Sequence, residues 1–125
     1  MSITSEHIRA VFQRYCELVT AGDFEAVTLL YASDATVEDP IGAAPHRGRD
    51  AIREFYRASA GVVRLELEGR VRAAGREGAA AMIARPNADP SMRIETLDVM
   101  TFDDDGLVTS MRAYWSADTI YREST

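Results

Sequence analysis

The sequence has no lysine: all 14 basic residues in its 125 are arginines. Without a lysine amine, a Schiff-base mechanism and a P-loop phosphate site are both excluded. Aspartate and glutamate together number 20, so the formal net charge is −6. Because an acidic surface repels the phosphates of nucleic acid, we expect no nucleic-acid partner.

Cysteine and histidine are scarce as well. The one cysteine, Cys16, can form no internal disulfide and gives no sign of an oxidising compartment. The two histidines, His7 and His46, have no cysteine or carboxylate spacing near them that is typical of a metal site. We therefore expect no metal, and we interpret both histidines as surface residues and Cys16 as a small core residue.

Long apolar runs are missing too. The segment Met1 to Val11 lacks the apolar core of a signal peptide, and no run is long enough to cross a bilayer. These absences favour a cytoplasmic protein with no membrane partner. The length suits one compact unit, so we expect a single domain over residues 1–125.

The hydrophobic pattern changes period near Gly61. Before it, apolar spacings of three and four predict helices over 6–20 and 50–59, and a short helix that begins after Asp23 and buries Tyr31. Ser5 and Gly22 are the predicted caps of the first helix. Alternating residues predict strands over 35–39, 63–67, 79–85, 92–102 and 107–116. The predicted fold class is therefore α+β, with a run of antiparallel strands wrapped over the helices.

The predicted strand 92–102 carries the first candidate site residue. By parity, Asp98 shares a mainly apolar face with Thr96 and Met100. Burial there would raise the pKa of Asp98 and keep it protonated near neutral pH, able to donate a hydrogen bond. The alternatives are that Asp98 points to solvent or pairs with Arg112 on the next strand.

Asp39 is the second candidate. It closes the predicted strand 35–39 and shares a face with Ala35 and Val37. A carboxylate at the mouth of an apolar face suits a general base. An aspartate before Pro40 is also common in turns, and for such a residue taken alone we favour this second interpretation.

Three tyrosines, Tyr15, Tyr31 and Tyr56, fall on the predicted buried sides of helices. A buried phenol needs a hydrogen-bond partner, so the three either form a linked cluster or simply fill the core. Together with Asp39 and Asp98 they would place one base, one neutral acid and a phenol around an apolar cavity.

Six sequence blocks between the first helix and the last strand carry a family resemblance. They are residues 13–15 (QRY), 21–23 (AGD), 31–40 (YASDATVEDP), 51–56 (AIREFY), 97–100 (LDVM) and 111–116 (MRAYWS). In this order and spacing they resemble the bacterial ketosteroid isomerases (steroid Δ5-isomerases) of the nuclear-transport-factor-2-like (NTF2-like), SnoaL-like superfamily. The resemblance implies a cone-shaped α+β fold, in which a curved mixed sheet wraps over three N-terminal helices as an NTF2-like or cystatin-like barrel.

The resemblance also implies a function and its residues. The family converts 3-oxo-Δ5-steroids to 3-oxo-Δ4-steroids, as a homodimer and with no cofactor or metal. Matched by position, Asp39 would be the general base, and Tyr15 and Asp98 would form the oxyanion hole. The implied substrate-binding or supporting residues are Tyr31, Tyr56, Met100 and Trp115.

Two other function classes fit the same fold. One is a non-catalytic steroid- or lipid-binding module, which loss of Tyr15, Asp39 or Asp98 would favour. The other is a hydrolase, dehydratase or cyclase, which the scarcity of histidine disfavours. One region departs from the family pattern: the turn from Pro86 to Pro90 is shorter and Ala84 is smaller than in relatives, so we expect an altered pocket rim.

Overall fold

The structure, a computed structural model, describes residues 3–123. In chain order its elements are α1 (Ser5–Ala21), α2 (Phe24–Thr28), β1 (Tyr31–Glu38), β2 (His46–Arg47), α3 (Arg49–Ser59), β3 (Val63–Leu67), β4 (Arg72–Ala74), β5 (Glu77–Pro86), β6 (Met92–Phe102), β7 (Val108–Tyr114), a 3₁₀ turn (Ala117–Thr119) and β8 (Ile120–Arg122). The predicted α+β class is confirmed. Residues 1, 2, 124 and 125 of the predicted domain lie outside the described residues, and the single domain over 1–125 stays a prediction.

Eight strands form one curved mixed sheet that stays open at its edges. The strand order is β2-β1-β7-β6-β5-β3, with β4 beside β5 and β8 beside β6. β1 lies parallel to β7, whereas the other pairs are antiparallel. The curved mixed sheet that the family resemblance implies is therefore confirmed, and β1–β7 is its parallel pair. The long connection through α3 and the later strands lets the chain return beside β1 in the same direction.

The first helices are set by local capping. Thr4, rather than the predicted Ser5, caps α1, and its side chain accepts a hydrogen bond from the backbone N–H of His7 at 3.1 Å. Gly22 ends α1 with φ of 78°, a conformation that glycine adopts without strain, and Asp23 caps α2. Both of these caps match the sequence prediction.

Tyr31 lies on strand β1, so its predicted place on the second helix is wrong. α2 ends at Thr28, and Tyr31 pairs with Val108 of β7. Pairing across the sheet, which a local spacing pattern cannot register, prevails over the helical spacing. β1 therefore begins earlier than the predicted strand 35–39, and Asp39 follows its last residue.

The helices cover one face of the sheet. α1 packs on β3, β4 and β5, while α3 packs on β1 and α2. Gly78 on β5 permits the close approach of α1, since a Cβ atom there would lie 2.5 Å from Ile8 and 2.7 Å from Phe12. No helix among residues 3–123 has both the length and the apolar character needed to cross a membrane.

Two glycines and one asparagine join three distant segments beside the cavity described below. A Cβ atom on Gly61 would lie 3.1 Å from the Cα of Gly22, so the two backbones meet directly. The N–H of Gly61 donates to the carbonyl of Val19 at 2.8 Å, and its own carbonyl accepts from the Asn87 side chain at 2.9 Å. The end of α1, the chain after α3 and the β5–β6 turn are thereby held together.

Candidate active site

A cavity of about 240 Å³ lies between the helices and the inner face of the sheet. It opens beside Val62, which is 53% exposed. Its lining is mainly apolar and comprises Tyr15, Val19, Asp39, Phe55, Tyr56, Ser59, Val62, Val63, Leu65, Ala84, Ile94, Thr96, Asp98, Ala113 and Trp115. Two carboxyl groups and two phenols from distant parts of the chain thus meet around one space.

Asp98 is the more deeply buried of the two carboxyl groups, only 3% exposed. Its neighbours across the sheet, Ala80 and Ala113, offer no charge and no side-chain hydrogen bond. The hydroxyl of Thr96 donates to Oδ1 of Asp98 at 3.0 Å. Burial raises the pKa of Asp98 to about 7; the charge of Asp39 acts in the same direction, and the Thr96 hydrogen bond opposes it.

The alternatives left open for Asp98 are therefore wrong. Its side chain is only 3% exposed, and Arg112 lies with Glu77 instead, 3.3 Å from nitrogen to carboxylate oxygen. The parity of β6 decides this, because Asp98 and Arg112 sit on opposite faces of the sheet. Among residues 3–123 the carboxyl thus has no cationic partner, which favours its neutral form.

The three tyrosines form a chain of hydrogen bonds. The hydroxyl oxygens of Tyr15 and Tyr56 are 3.0 Å apart, and those of Tyr56 and Tyr31 are 2.6 Å apart. All three side chains are buried, and burial raises the pKa of each phenol well above its ordinary value. The linked-cluster interpretation is therefore confirmed, and at neutral pH the phenols are protonated donors.

Asp39 lies where β1 gives way to the loop that leads to β2. The indole N–H of Trp115 donates to Oδ1 of Asp39 at 2.7 Å. Burial raises the pKa of Asp39, whereas the Trp115 hydrogen bond and the nearby His46 pull it back towards its ordinary value. His46 is half-buried, and the centroids of its ring and the Phe55 ring are 4.6 Å apart, so it lies at the surface but is not freely solvated.

The arrangement separates a proton acceptor from proton donors. Asp39 is the carboxyl with an N–H donor and an imidazole beside it, two contacts that favour its charged form against the larger effect of burial. In its apolar setting Tyr15 is neutral, and Asp98 is neutral below its raised pKa of about 7. Such a cavity suits removal of a proton from carbon while charge develops on an oxygen that the donors contact.

The profile of the SnoaL-like domain family matches residues 12–115. The chain belongs to this family. A steroid Delta-isomerase of Nocardioides simplex is 44% identical over 113 residues, which cover 90% of this chain and 92% of the relative. The resemblance to the ketosteroid isomerases that was predicted from the sequence blocks is thereby confirmed.

Two further relatives of this SnoaL-like chain carry other activities in their names. Epoxide hydrolase LasB of Streptomyces lasalocidi is 35% identical over 116 residues, covering 86% of this chain but 40% of the relative. The solved structure of the epoxide hydrolase/cyclase-like enzyme SalBIII, studied for its role in pyran ring formation in salinomycin, superimposes with a TM-score of 0.85. It is 30% identical and covers 96% of this chain and 99% of that one.

Within the SnoaL-like domain, five of the seven sequence-predicted site residues line the cavity, and two lie behind it. Tyr15, Asp39, Tyr56, Asp98 and Trp115 are in the lining. Tyr31 stands behind Tyr56, and Met100 is fully buried next along the inner face of β6. These two act on the cavity only through their neighbours.

Sequence reasoning did not select Thr96 or His46 as functional residues. The signal for Thr96 was present, since it lies two positions before Asp98 on the same face of a strand. His46 gave no comparable signal, because its place near Asp39 arises from the pairing of β2 with Val37 of β1. Across residues 3–123, no group of three or more His, Cys, Asp or Glu side chains is arranged to hold a metal ion.

Proposed function

We propose that this protein is a steroid Δ-isomerase that converts 3-oxo-Δ5-steroids to their conjugated Δ4 isomers. The observation that carries the proposal is that a base, Asp39, and two hydrogen-bond donors, Tyr15 and Asp98, line one mainly apolar cavity. The 44% identical relative from Nocardioides simplex, a steroid Delta-isomerase, supports it.

In the proposed reaction, Asp39 is the catalytic base. Its carboxylate takes a proton from C4 of the steroid. The electron pair of the broken C–H bond forms a double bond between C3 and C4, and the π pair of the carbonyl moves onto the C3 oxygen to give a dienolate. Asp39 then returns the proton to C6, and the double bond ends between C4 and C5. Oδ1 of Asp39 accepts from Trp115, so Oδ2 is the oxygen that receives the proton.

Tyr15 and Asp98 stabilise the dienolate in this proposal. Burial disfavours the charged forms of both, so Tyr15 is protonated at neutral pH and Asp98, with a pKa of about 7, keeps its proton at mildly acidic pH. Donors fixed in a dry site contribute most where charge develops during the reaction. Tyr56 and Tyr31 hold the Tyr15 hydroxyl in place through their shared hydrogen bonds.

The cavity binds the steroid by burial of apolar surface. Val62, Val63 and Leu65 approach it from β3 and the preceding loop, and Phe55 comes from α3. At roughly 25 cal/mol for each Å² removed from water, these side chains suit a hydrocarbon skeleton with few polar atoms. No group in the proposed mechanism calls for a cofactor.

We also propose that the protein is a cytoplasmic homodimer. In support of a dimer, the outer face of the sheet exposes Leu97 by 43% and Tyr114 by 46%, and these two residues are direct neighbours on β6 and β7. Apolar side chains on a rigid sheet face suit association with a second copy. Sedimentation of the wild type and of a Leu97→Asp variant tests this, with a monomeric variant as the expected result.

The test of function is the appearance of conjugated-enone ultraviolet absorbance when the protein meets a 3-oxo-Δ5-steroid. Asp39→Asn is expected to lower kcat by about a thousandfold or more while steroid binding remains, because it removes the base. Asp34→Asn, which changes an exposed aspartate on β1, is the matched control and should keep wild-type turnover.

Two outcomes would overturn the proposal. Steroid binding by the wild type without any absorbance change would favour the non-catalytic binding module. Turnover of an epoxide substrate without turnover of the steroid would favour the activity named for LasB and SalBIII. A neutral acid and a base also suit epoxide opening, so the two substrates should be compared side by side.

A further inference from the structure

We infer that Thr96 is a positioning residue, whose hydroxyl fixes which oxygen of Asp98 carries the acidic proton. The inference rests on the proposed function, in which Asp98 donates that proton in a hydrogen bond to the C3 oxygen of the steroid. Thr96 lies two residues before Asp98 on β6, and both side chains line the cavity. Thr96 therefore acts on the reaction through Asp98.

The hydrogen bond selects between the two carboxyl oxygens. Thr96 Oγ1 donates to Oδ1 of Asp98 at 3.0 Å. In a neutral carboxylic acid the carbonyl oxygen is the better acceptor, so this contact favours Oδ1 as the carbonyl and Oδ2 as the hydroxyl. Among residues 3–123, Oδ2 has no protein hydrogen-bond partner, which leaves its proton available to a bound ligand.

In the described part of the chain, Thr96 is the residue placed to distinguish the two carboxyl oxygens of Asp98. The strand neighbours of Asp98 are Ala80 and Ala113, which have no polar side-chain atoms. The titratable groups that face Asp98 are Tyr15 and Cys16 from α1, Tyr31 from β1 and Asp39 beyond its end. Thr96 makes the one side-chain hydrogen bond to Asp98 found in residues 3–123.

The same contact has a second, opposite effect. A hydroxyl that donates to a carboxyl stabilises its charged form, and Thr96 accordingly lowers the pKa of Asp98 against the effect of burial. Thr96 thus strengthens Asp98 as an oriented donor but narrows the pH range over which Asp98 keeps its proton. Removal of the hydroxyl should therefore lower turnover at low pH, where orientation of the proton matters. At high pH the loss should be smaller, because Asp98 then keeps its proton to a higher pH.

Three variants separate this role from ordinary packing. Thr96→Val keeps the shape and removes the hydroxyl, whereas Thr96→Ser keeps the hydroxyl. Thr101→Val removes a hydroxyl from the opposite face of the same strand and serves as the control. At about pH 6 Thr96→Val should lower kcat roughly threefold to tenfold, the worth of one hydrogen bond, with KM within about twofold.

The pH profile is the decisive activity measurement. Towards about pH 8 the deficit of Thr96→Val should shrink, because its Asp98 ionises at higher pH than in the wild type. Thr96→Ser and Thr101→Val should follow the wild-type profile. A deficit of Thr96→Val that is the same at every pH, or an equal deficit in Thr96→Ser, would overturn the inference.

A readout without turnover keeps this test apart from that of the proposed function. Carbon-13 NMR of the aspartate carboxyl groups, with the Asp98 signal identified by its loss in Asp98→Asn, follows the titration of Asp98 directly. In Thr96→Val the signal should titrate at higher pH than in the wild type. In Thr96→Ser it should titrate at the wild-type pH. If the titration of Asp98 in Thr96→Val is unchanged, the inference is overturned even if the protein isomerises the steroid. If the titration moves to higher pH, the role of the Thr96 contact is supported even if the protein does not isomerise the steroid.

Discussion

The two carboxyl groups of the cavity are both shielded from water, but they differ in the groups that lie beside them. On the base side, Asp39 has the Trp115 N–H on one oxygen and His46 nearby. On the donor side, Asp98 has alanines on both flanks and a single hydroxyl, from Thr96. The same chemical group is thus held in two protonation states within one small space.

The comparison shows that a few neighbouring groups are enough to make one aspartate a base and the other a hydrogen-bond donor. Burial raises the pKa of both aspartates, and each accepts one side-chain hydrogen bond. What distinguishes them is charge: His46 lowers the pKa of Asp39, whereas the charge of Asp39 raises the pKa of Asp98 further. The two also act on each other, because a charged Asp39 makes ionisation of Asp98 harder. The base side therefore helps to keep the donor side neutral.

The largest effect after loss of the base should come from breaking the donor side. Tyr15→Phe removes a phenol donor and should lower kcat about a hundredfold to a thousandfold, with KM little changed. Asp98→Asn retains an N–H donor, so a smaller loss of about tenfold to a hundredfold is expected. Steady-state kinetics by enone absorbance measure both, and wild-type kcat in both variants would remove these residues from the oxyanion hole.

Burial of Asp98 should destabilise the folded protein at pH values where its carboxyl is ionised. The pKa of Asp98 rises from 3.8 in the unfolded chain to about 7 in the folded protein. The free energy of unfolding therefore falls as pH increases from about 4 to about 7, and the full loss is present above that range. At 1.36 kcal/mol for each pH unit, the penalty for Asp98 approaches about 4 kcal/mol. Asp98→Asn should therefore raise the free energy of unfolding above about pH 8, where the wild-type Asp98 is ionised.

Urea denaturation of wild type and Asp98→Asn at a series of pH values tests this sign. The difference in unfolding free energy between the two proteins should be largest at alkaline pH. It should vanish towards about pH 4, where residue 98 is neutral in both folded proteins. A difference that is constant with pH would mean that Asp98 does not titrate as its burial indicates.

On the base side, Trp115→Phe sharpens the comparison by making Asp39 more like Asp98. Loss of the N–H donor removes an interaction that lowers the pKa of Asp39, so the carboxylate should form only at higher pH. The acidic limb of the kcat/KM profile should move to higher pH, with activity at about pH 5 reduced roughly threefold to tenfold and near wild type at high pH. An unmoved limb would mean that the Trp115 contact does not tune the base.

The smallest effect is expected at the far end of the tyrosine chain. Tyr31→Phe leaves the Tyr15–Tyr56 hydrogen bond in place and removes one buried partner of Tyr56. kcat should fall no more than about fivefold, while thermal unfolding shows a loss of about 1 kcal/mol. A loss as large as that of Tyr15→Phe would place Tyr31 nearer to the chemistry than the hydrogen-bond chain does.

Much of the site was predictable because its signals are local. The alternation of β6 placed Asp98 on a mainly apolar face, although it left burial and solvent exposure both open, and the caps at Gly22 and Asp23 followed from residue type alone. The place of Tyr31 was not predictable in this way, because its strand exists only through pairing with β7. The half-buried position of His46 likewise depends on a pairing that no neighbouring residue encodes.

The junction of Gly22, Gly61 and Asn87 has a consequence for redesign of the cavity opening. Val62 and Val63, which line the opening, directly follow Gly61, and the N–H of Asn87 donates to the carbonyl of Val62 at 2.9 Å. Insertions that lengthen the β5–β6 turn would pull on this junction as well as on the turn itself. A graft that widens the entrance for larger substrates therefore has to carry all three segments together.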